Sequence, residues 1–241
     1  MKKHTLRKAS WITKLAAVTV FLLTASVAFA AVSVFVGGKK MNLPDLDGYH
    51  IYTDKTAPPL STLLSCLSLC GHNDASRAIA AYFRDEDVAN GKIKNCIKSD
   101  GILISRDAMK LDKNADPARI FEAIKASVHS DDYKKMLFNE TSRCGNLISA
   151  AFNEPYDLQS IEEVVNLAGP NYLIFVLRYQ THEQAGGEKK LSIRYEALAH
   201  VIINGELLVV GASDSRKNTN AQETAEFAVQ FVKALTAANQ G

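Results

Sequence analysis

Four cysteines are the residues of this chain with the clearest capacity for chemistry. They are Cys66, Cys70, Cys96 and Cys144. An even number of thiols in an oxidising compartment, which the N-terminal segment indicates, is typical of disulfides. We therefore predict two intramolecular disulfides and no free thiol in the mature protein, with three pairings open.

The spacing of the first two cysteines favours some of these pairings over others. Cys66 and Cys70 are four positions apart in a segment with a helical pattern that ends at Gly71. A bond between them would require the end of that helix to distort, because a disulfide joins its two residues in a narrow range of geometries. We expect bridges that reach instead to Cys96 and Cys144.

The same region has a functional alternative, a metal site formed by Cys66, Cys70 and His72. Thiolate and imidazole groups are suitable ligands for copper or zinc. However, C-x3-C-x-H is not a strong metal-binding spacing, no fourth ligand is indicated, and the redox motif C-x-x-C is absent. We predict no metal and no cofactor, and a thiol or metal site around these three residues stays the alternative.

Catalytic signatures are absent from the rest of the sequence. The histidines show no paired metal-binding spacing, and neither a Walker loop nor G-x-G-x-x-G occurs. Residues 211–215 lack the second glycine of the hydrolase motif G-x-S-x-G. Residues 112–116 resemble the opening of a calcium-binding loop, but Pro117 and Ala123 occupy the positions of its glycine and glutamate. We predict no catalytic residue, and binding is favoured over enzyme activity.

The composition is that of an ordinary folded protein, with 47% hydrophobic and 22% charged residues. The formal net charge is +2. Five positive charges lie in the first 38 residues, which contain no acidic residue, so the remainder carries a net charge of −3. A slightly acidic body argues against nucleic-acid binding, because such binding requires many Lys and Arg side chains against the phosphates.

A charge-free apolar run occupies residues 15–36, directly after the basic residues 1–14. Its 22 residues exceed a usual signal-peptide core of about 7 to 15 and reach the about 20 that a helix needs to cross a bilayer. We predict a single transmembrane anchor. Because the positive charges precede the span, the N-terminus is expected in the cytoplasm and the body outside it.

A cleaved signal peptide is the alternative for the same segment. Ala28, Phe29 and Ala30 form a small-residue cleavage site before Ala31. Cleavage after Ala30 would release a periplasmic or secreted protein. Under both alternatives, residues 41–241 are exported.

The chain is expected to contain four regions. Residues 1–14 form the cytoplasmic basic segment, and residues 15–36 form the transmembrane anchor or signal-peptide core. Residues 37–59 form a linker and a first strand, since Gly, Pro and Asp residues surround a strand candidate at 49–53. Residues 60–241 form a single exported globular domain.

Hydrophobic periodicity and capping residues predict mostly helix before residue 170. Asp116 is an N-cap with Pro117 in the first turn, and Ser160 with Glu163 forms a capping box. The predicted helices lie over 60–70, over 74–90, from 116 onward, over 133–152 with a break near Gly145, and over 160–169. A buried strand is predicted at 102–104.

The C-terminal part predicts an antiparallel meander followed by a helix. Asn204 and Gly205 are typical of a two-residue hairpin turn, whose central residues need positive φ. The predicted elements are strands over 172–179, 191–203 and 206–211, a turn at Gly186 and Gly187, and a helix from 221 to about 238 capped by Asn220. We expect this helix to lie across the sheet.

The stretch AHVIINGELLVVGASDSRKNTNAQETAEFAVQFVKAL contains a strand, an Asn-Gly hairpin, a second strand, a polar loop and an amphipathic terminal helix. In this order of elements, residues 172–238 resemble the end of the Mog1/PsbP-like α/β/α sandwich. The resemblance implies an α+β fold in which helices pack on an antiparallel sheet as an α/β sandwich. It also implies a binding or accessory module rather than an enzyme.

Two hypotheses for the function follow. The first is an exported, membrane-tethered binding or accessory domain that recognises a protein or a small ligand and not nucleic acid. The second is an extracytoplasmic enzyme or a thiol- or metal-binding protein with a dispersed site around Cys66, Cys70 and His72. A structure distinguishes them, because the second requires thiols, histidines and carboxylates to line one pocket.

Overall fold

The computed structural model describes residues 32–53, 78–90, 100–107, 109, 111–112, 115–152, 157–185, 188–214 and 220–240. The chain divides into two compact units, Met1–Ala31 and Val32–Gly241. Every described residue belongs to the second unit. The fold is therefore that of the unit that begins at Val32.

This unit is an α+β fold with a large antiparallel sheet, which confirms that part of the predicted fold class. Its described strands are β1 (Ser33–Val36), β2 (Lys39–Asn42), β3 (Tyr49–Thr53), β4 (Ala78–Arg84), β5 (Gly101–Arg106), β6 (Asp157–Gly169), β7 (Tyr172–Ala185), β8 (Glu188–Ile203) and β9 (Glu206–Ser213). Its described helices are α1 (Asp85–Ala89), α2 (Pro117–Val128), α3 (Asp131–Phe152) and α4 (Ala221–Ala237).

Seven strands form one sheet in the order β3-β4-β5-β9-β8-β7-β6, and every neighbouring pair is antiparallel. The last four strands form the meander β6 to β9. β5 joins this meander by pairing with its last strand, so that Gly101 lies opposite Ser213. The sheet thus connects segments from both halves of the chain.

The hairpin between β8 and β9 has the predicted turn. Asn204 and Gly205 have φ values of 51° and 74°, and Ile203 lies opposite Glu206. Asn and Gly adopt positive φ at the least cost, so this turn follows from the local sequence. The predicted C-terminal strands are confirmed, and β7 and β9 extend beyond their predicted ends.

Helix α4 covers one face of the sheet, as predicted. The Asn220 side chain accepts a hydrogen bond from the backbone N–H of Glu223 at 3.0 Å and caps the helix. The helix contacts β6, β7, β8 and β9. Its buried residues are Thr224, Ala225, Ala228, Phe231, Val232 and Leu235.

A second core lies on the opposite face, under α2. Along β7, Ile174 and Val176 pack on the α4 side, whereas Leu173 and Phe175 pack on the α2 side. The predicted cap of α2 is confirmed, since Asp116 accepts a hydrogen bond from the N–H of Ala118. The buried residues of this core are Phe121, Ile124, Val128, Leu173, Phe175 and Leu207.

The helix predicted over 74–90 is wrong over residues 78–84, and its residues 74–77 lie outside the described residues. Ala78–Arg84 form the strand β4, and only Asp85–Ala89 are helical. β4 pairs with β3 and with β5, and its last five residues are all buried. A strand that is covered on both faces is apolar at nearly every position, so its sequence lacks the period of two that distinguishes it from a helix.

The capping box at Ser160 and Glu163 is also wrong, because Asp157–Gly169 form a strand of 13 residues. β6 is an edge of the sheet, and its register with β7 shifts between Leu158 and Ser160 and between Glu163 and Val165. Such β-bulges interrupt the alternation of polar and apolar residues. They explain why the sequence does not indicate a strand here.

Helix α3 is continuous over 22 residues, whereas the sequence predicts a break near Gly145. Gly145 is buried within the helix, and α3 packs against β6 and α2. A glycine weakens a helix by about 1 kcal/mol but does not end one that tertiary packing supports.

The first strand overlaps the predicted membrane segment at residues 15–36. β1 pairs with β2, and the two glycines between them have φ values of 58° and 81°. Val34 and Val36 are buried in the core on the α4 side. Residues 33–36 of the predicted segment thus form a strand of the folded unit, and the apolar residues of this strand continue the apolar run that precedes it.

Several predicted elements lie outside the described residues. They are the first 31 residues, the helix over 60–70 and the turn at Gly186 and Gly187. Within the part of the chain that the structure describes, no helix is long and apolar enough to cross a membrane. The anchor and the signal peptide both stay predictions.

The substitution Val232→Asp tests the packing of α4 on the sheet. Val232 has no exposed surface, and an unpaired carboxylate buried among apolar side chains is strongly destabilising. We expect a loss of about 3 kcal/mol or more in the free energy of unfolding, measured by urea denaturation.

The control is Gln222→Ala on the same helix. Gln222 is exposed, and its side-chain amide donates only to Glu226, at 2.8 Å. This variant should lie within about 0.5 kcal/mol of wild type. Equal stability of the two variants would show that α4 does not pack as described.

Candidate functional site

The structure describes one of the four predicted disulfide cysteines. Cys144 lies on α3, is partly buried and is not a free thiol. Cys66, Cys70 and Cys96 lie outside the described residues, as does His72. The disulfide pairing and the alternative thiol or metal site therefore stay predictions.

Polar side chains in two places of the described chain are the candidates for a site. The first is a buried ion pair between Arg84, at the end of β4, and Asp214, directly after β9. Arg84 Nη2 donates to both carboxylate oxygens, and the Tyr49 hydroxyl donates to Asp214 Oδ2 at 2.8 Å. Asp214 has no exposed surface.

The electrostatics of this group indicate a structural role. Burial acts to lower the pKa of Arg84, but the hydrogen bond and the charge of Asp214 outweigh it, so the net shift is upward. Burial, together with the hydrogen bond to Asp214, raises the pKa of Tyr49. Arg84 thus stays charged and Tyr49 neutral, and the group holds the ends of β3, β4 and β9 together.

The second place is an open groove of about 470 Å³ on the α2 side of the sheet. The end of α2, the first turns of α3 and the strands β6 and β7 form its walls. Its apolar lining consists of Val128, Leu137, Ile161 and Leu177. A groove of this size accommodates a small molecule.

The polar lining of the groove consists of His129, Tyr133, Lys134, Glu162 and Glu163. His129 Nε2 lies 3.1 Å from Glu163 Oε1, and Asn166 Nδ2 donates to the same oxygen at 3.3 Å. Glu162 forms an ion pair with Arg178 of β7. Lys134 is exposed, and its ammonium group forms no ion pair with any residue that the structure describes.

Three aromatic rings in edge-on contact extend from the groove into the core. Phe175 is edge-on to His129 on one side and to His200 on the other, with ring centroids 6.1 Å apart in both pairs. His200 is buried on β8, and neither of its ring nitrogens has a hydrogen-bond partner among the described residues. Burial lowers the pKa of His200, although the charge of Asp107 opposes this shift.

Tyr133, which lines the groove, is also influenced by the charge of Asp107. Burial raises the pKa of the Tyr133 hydroxyl, and the charge of Asp107 adds to the effect. Asp107 follows β5, and its backbone N–H donates to the carbonyl of Leu207. Tyr133 and His200 are therefore both neutral near pH 7, and the polar side of the groove is dominated by His129, Lys134 and the two glutamates.

Comparisons with known proteins add little to this geometry. No family model matches the chain, and neither does any curated protein. A solved structure of a Pseudomonas aeruginosa protein of unknown function is similar at 12% identity, covering 86% of this chain and 94% of that chain with a TM-score of 0.18. At that score the likeness supports no conclusion about this chain.

His129 and Glu163 are the residues of the groove that resemble an acid–base pair. An imidazole paired with a carboxylate can take up and deliver a proton, but 42% of the His129 side chain is exposed and Glu163 also accepts from Asn166. Strongly shifted pKa values at catalytic groups arise mainly from burial and dedicated charge partners. Within the described ranges, no three His, Cys, Asp or Glu side chains could together hold a metal ion.

The sequence predicts none of the groove residues as a site. His129 is the C-cap of α2, and Glu163 lies 34 residues later on the edge strand. The two residues meet only because α2 and β6 pack on one side of the sheet. Their spacing carries no motif, and the sequence pattern assigns Glu163 to a helix cap.

Asp214→Asn tests the buried ion pair. The substitution removes the buried counter-charge of Arg84 and leaves its longer ion pair, at 3.5 Å, with the exposed Glu86. Removal of one partner of a buried pair costs about 3 to 5 kcal/mol. Tyr49→Phe, which removes one hydrogen bond to the same carboxylate, should cost about 1 kcal/mol. If urea denaturation at pH 7 ranks the two variants in the opposite order, the ion pair is not the main connection between these strand ends.

His200→Phe tests the burial of His200 through the pH dependence of stability. Because the pKa of His200 lies below its ordinary value of 6.5 in the folded protein, the unfolded chain binds this proton first as the pH falls. The stability of the wild type should therefore decrease below about pH 6.5. Removing the imidazole should reduce the loss between pH 7 and pH 5, by at most about 2 kcal/mol.

His50→Phe is the matched control, since His50 is exposed on β3. All other titrating groups are common to the compared proteins, so urea denaturation at several pH values isolates the effect of each histidine. The same pH dependence in His200→Phe and wild type would exclude a stabilising role for the neutral His200.

Proposed function

We propose that this chain is an exported binding or accessory domain whose groove binds a small molecule with an apolar body and one anionic group. One observation carries the proposal. The groove combines an apolar lining with a lysine, Lys134, that has no ion-pair partner among the described residues.

The apolar lining supports the apolar body of the ligand. Leu137 and Ile161 are partly exposed, whereas Val128 and Leu177 are buried and close the base of the groove. A ligand that covers the exposed part of these side chains removes apolar surface from water, which contributes about 25 cal/mol per Å².

The charges of the groove support an anionic group. Glu163 is engaged by His129 and Asn166, and Glu162 is engaged by Arg178. The ammonium group of Lys134 is left at the edge of the groove, where it can form a charge-assisted hydrogen bond to a carboxylate, sulfonate or phosphate oxygen.

The N-terminal sequence supports export. A basic segment without acidic residues precedes an apolar run, which is the order found in membrane-targeting segments. An exported domain would meet its ligand outside the cytoplasm. The net charge of the body gives no support to a nucleic-acid partner.

Titration with anilinonaphthalene sulfonate tests the groove. This probe has an aromatic body and one sulfonate, and its fluorescence increases when it leaves water. We expect one site per chain in the folded protein. Lys134→Glu should weaken binding about fivefold or more, which corresponds to about 1 kcal/mol for a partly exposed charge pair.

Lys135→Glu provides a control with the same change of charge. Lys135 is the next residue on α3, is also exposed and does not line the groove. Its affinity for the probe should stay within about twofold of wild type. Ile161→Trp, which fills the groove, should abolish binding. Equal effects of the two lysine variants would exclude Lys134 as the anion-binding group.

A further inference from the structure

The apolar run at residues 15–36 is the sequence feature that the groove leaves unexplained, and β1 changes its interpretation. The run reaches 22 residues only because it includes Val32, Val34, Phe35 and Val36. Val34 and Val36 are 7% and 4% exposed and belong to the core under α4. Val34 and Val36 are therefore apolar because they are buried in the folded unit, whereas Val32 and Phe35 are exposed.

The hairpin that contains β1 is attached to the folded unit at several points. The N–H of Leu43 donates to the carbonyl of Val32 at 2.7 Å, directly before the first β1–β2 pair. Asn42 and Asn239, which follows α4, exchange two hydrogen bonds of 2.8 Å. Lys39 Nζ donates to the carbonyl of Asn204 at 2.6 Å. The β1–β2 hairpin is thus held, through β2, by the end of α4 and by the β8–β9 turn, and β1 pairs with β2.

The sequence that remains for the membrane is shorter than the apolar run. Residues 15–31 number 17, which as a helix extend about 25 Å, against about 30 Å for the hydrocarbon core. An anchor of this length is at the lower limit of known spans. It would also leave no spacer, because the folded unit begins at Val32.

The same residues fit a signal peptide closely. Residues 15–27 form an apolar core of 13 residues after the basic segment, within the usual range of about 7 to 15. Ala28 and Ala30 then place small residues three positions and one position before a cleavage point. The bond after Ala30 leaves one residue, Ala31, before Val32, the first residue of the folded unit.

We infer that a signal peptidase hydrolyses the peptide bond between Ala30 and Ala31 and that β1 is the first strand of the mature protein. Water adds across this bond, so that Ala30 gains a free carboxylate and Ala31 a free α-amino group. The mature chain, residues 31–241, retains every residue of the folded unit and has no membrane anchor. The inference goes beyond the ligand-binding proposal, because the groove assay uses purified protein and does not depend on cleavage.

The experiment is expression of the full chain in a bacterial host with a periplasm, followed by fractionation, intact mass measurement and N-terminal sequencing. We expect a soluble extracytoplasmic protein whose N-terminal sequence is Ala-Val-Ser-Val-Phe-Val. A protein that retains residues 1–30 and stays in carbonate-washed membranes would overturn the inference. So would a mature N-terminus at any other residue.

Two variants confine the test to the cleavage point. Ala30→Phe places a large side chain directly before the bond and should reduce the processed fraction at least about tenfold. Phe29→Leu changes the intervening position, where large residues are tolerated, and should be processed like wild type. Both positions precede the folded unit, so a folding defect does not explain a difference between them. Processing of Ala30→Phe at the wild-type bond would overturn the assignment.

Discussion

A carboxylate that has no contact with water is the constraint on which the arrangement of the sheet depends. Asp214 has no exposed surface, and the hydrogen bonds that Arg84 and Tyr49 donate to it offset the cost of burying its charge. The three side chains come from the ends of β9, β4 and β3, so their contact fixes the relative position of three strands. Asp214 also precedes Asn220, the cap of α4, by six residues.

The candidate binding site lies at one edge of this sheet, where the helices α2 and α3 meet the strands β6 and β7. The central strands are covered on both faces and consist largely of apolar residues. β6 lies at the edge, where exposed carboxylates and bulges are tolerated and also hinder pairing with another chain. Glu162 and Glu163 belong to this strand, and the groove opens between it and the junction of α2 with α3. The junction contributes His129 and Lys134, so the groove combines an apolar base with charged groups from the edge strand and from the two helices.

Burial in the core and passage through a membrane both favour a run of apolar residues, because both remove side chains from water. This explains why residues 15–36 form one apolar run although β1 belongs to the folded unit. β4 illustrates the same ambiguity within the body. Its sequence is compatible with a helix, and only its pairing with β3 and β5 makes it a strand. Hydrophobicity indicates that a segment is removed from water but not what surrounds it.

The sequence alone determined the elements whose stability depends on interactions within a few residues. These are the turn at Asn204 and Gly205, the caps at Asp116 and Asn220, the strands β7, β8 and β9 and the buried stripe of α4. The tertiary structure alone decided the features that join distant segments. They include the strand β6, the pairing of β5 with β9, the ion pair of Arg84 with Asp214 and the contact of His129 with Glu163. Backbone conformation and capping are local energies, which residue types encode directly. The features that join distant segments depend on contacts that form only in the folded chain. A short stretch of sequence does not specify which distant residue each side chain will contact.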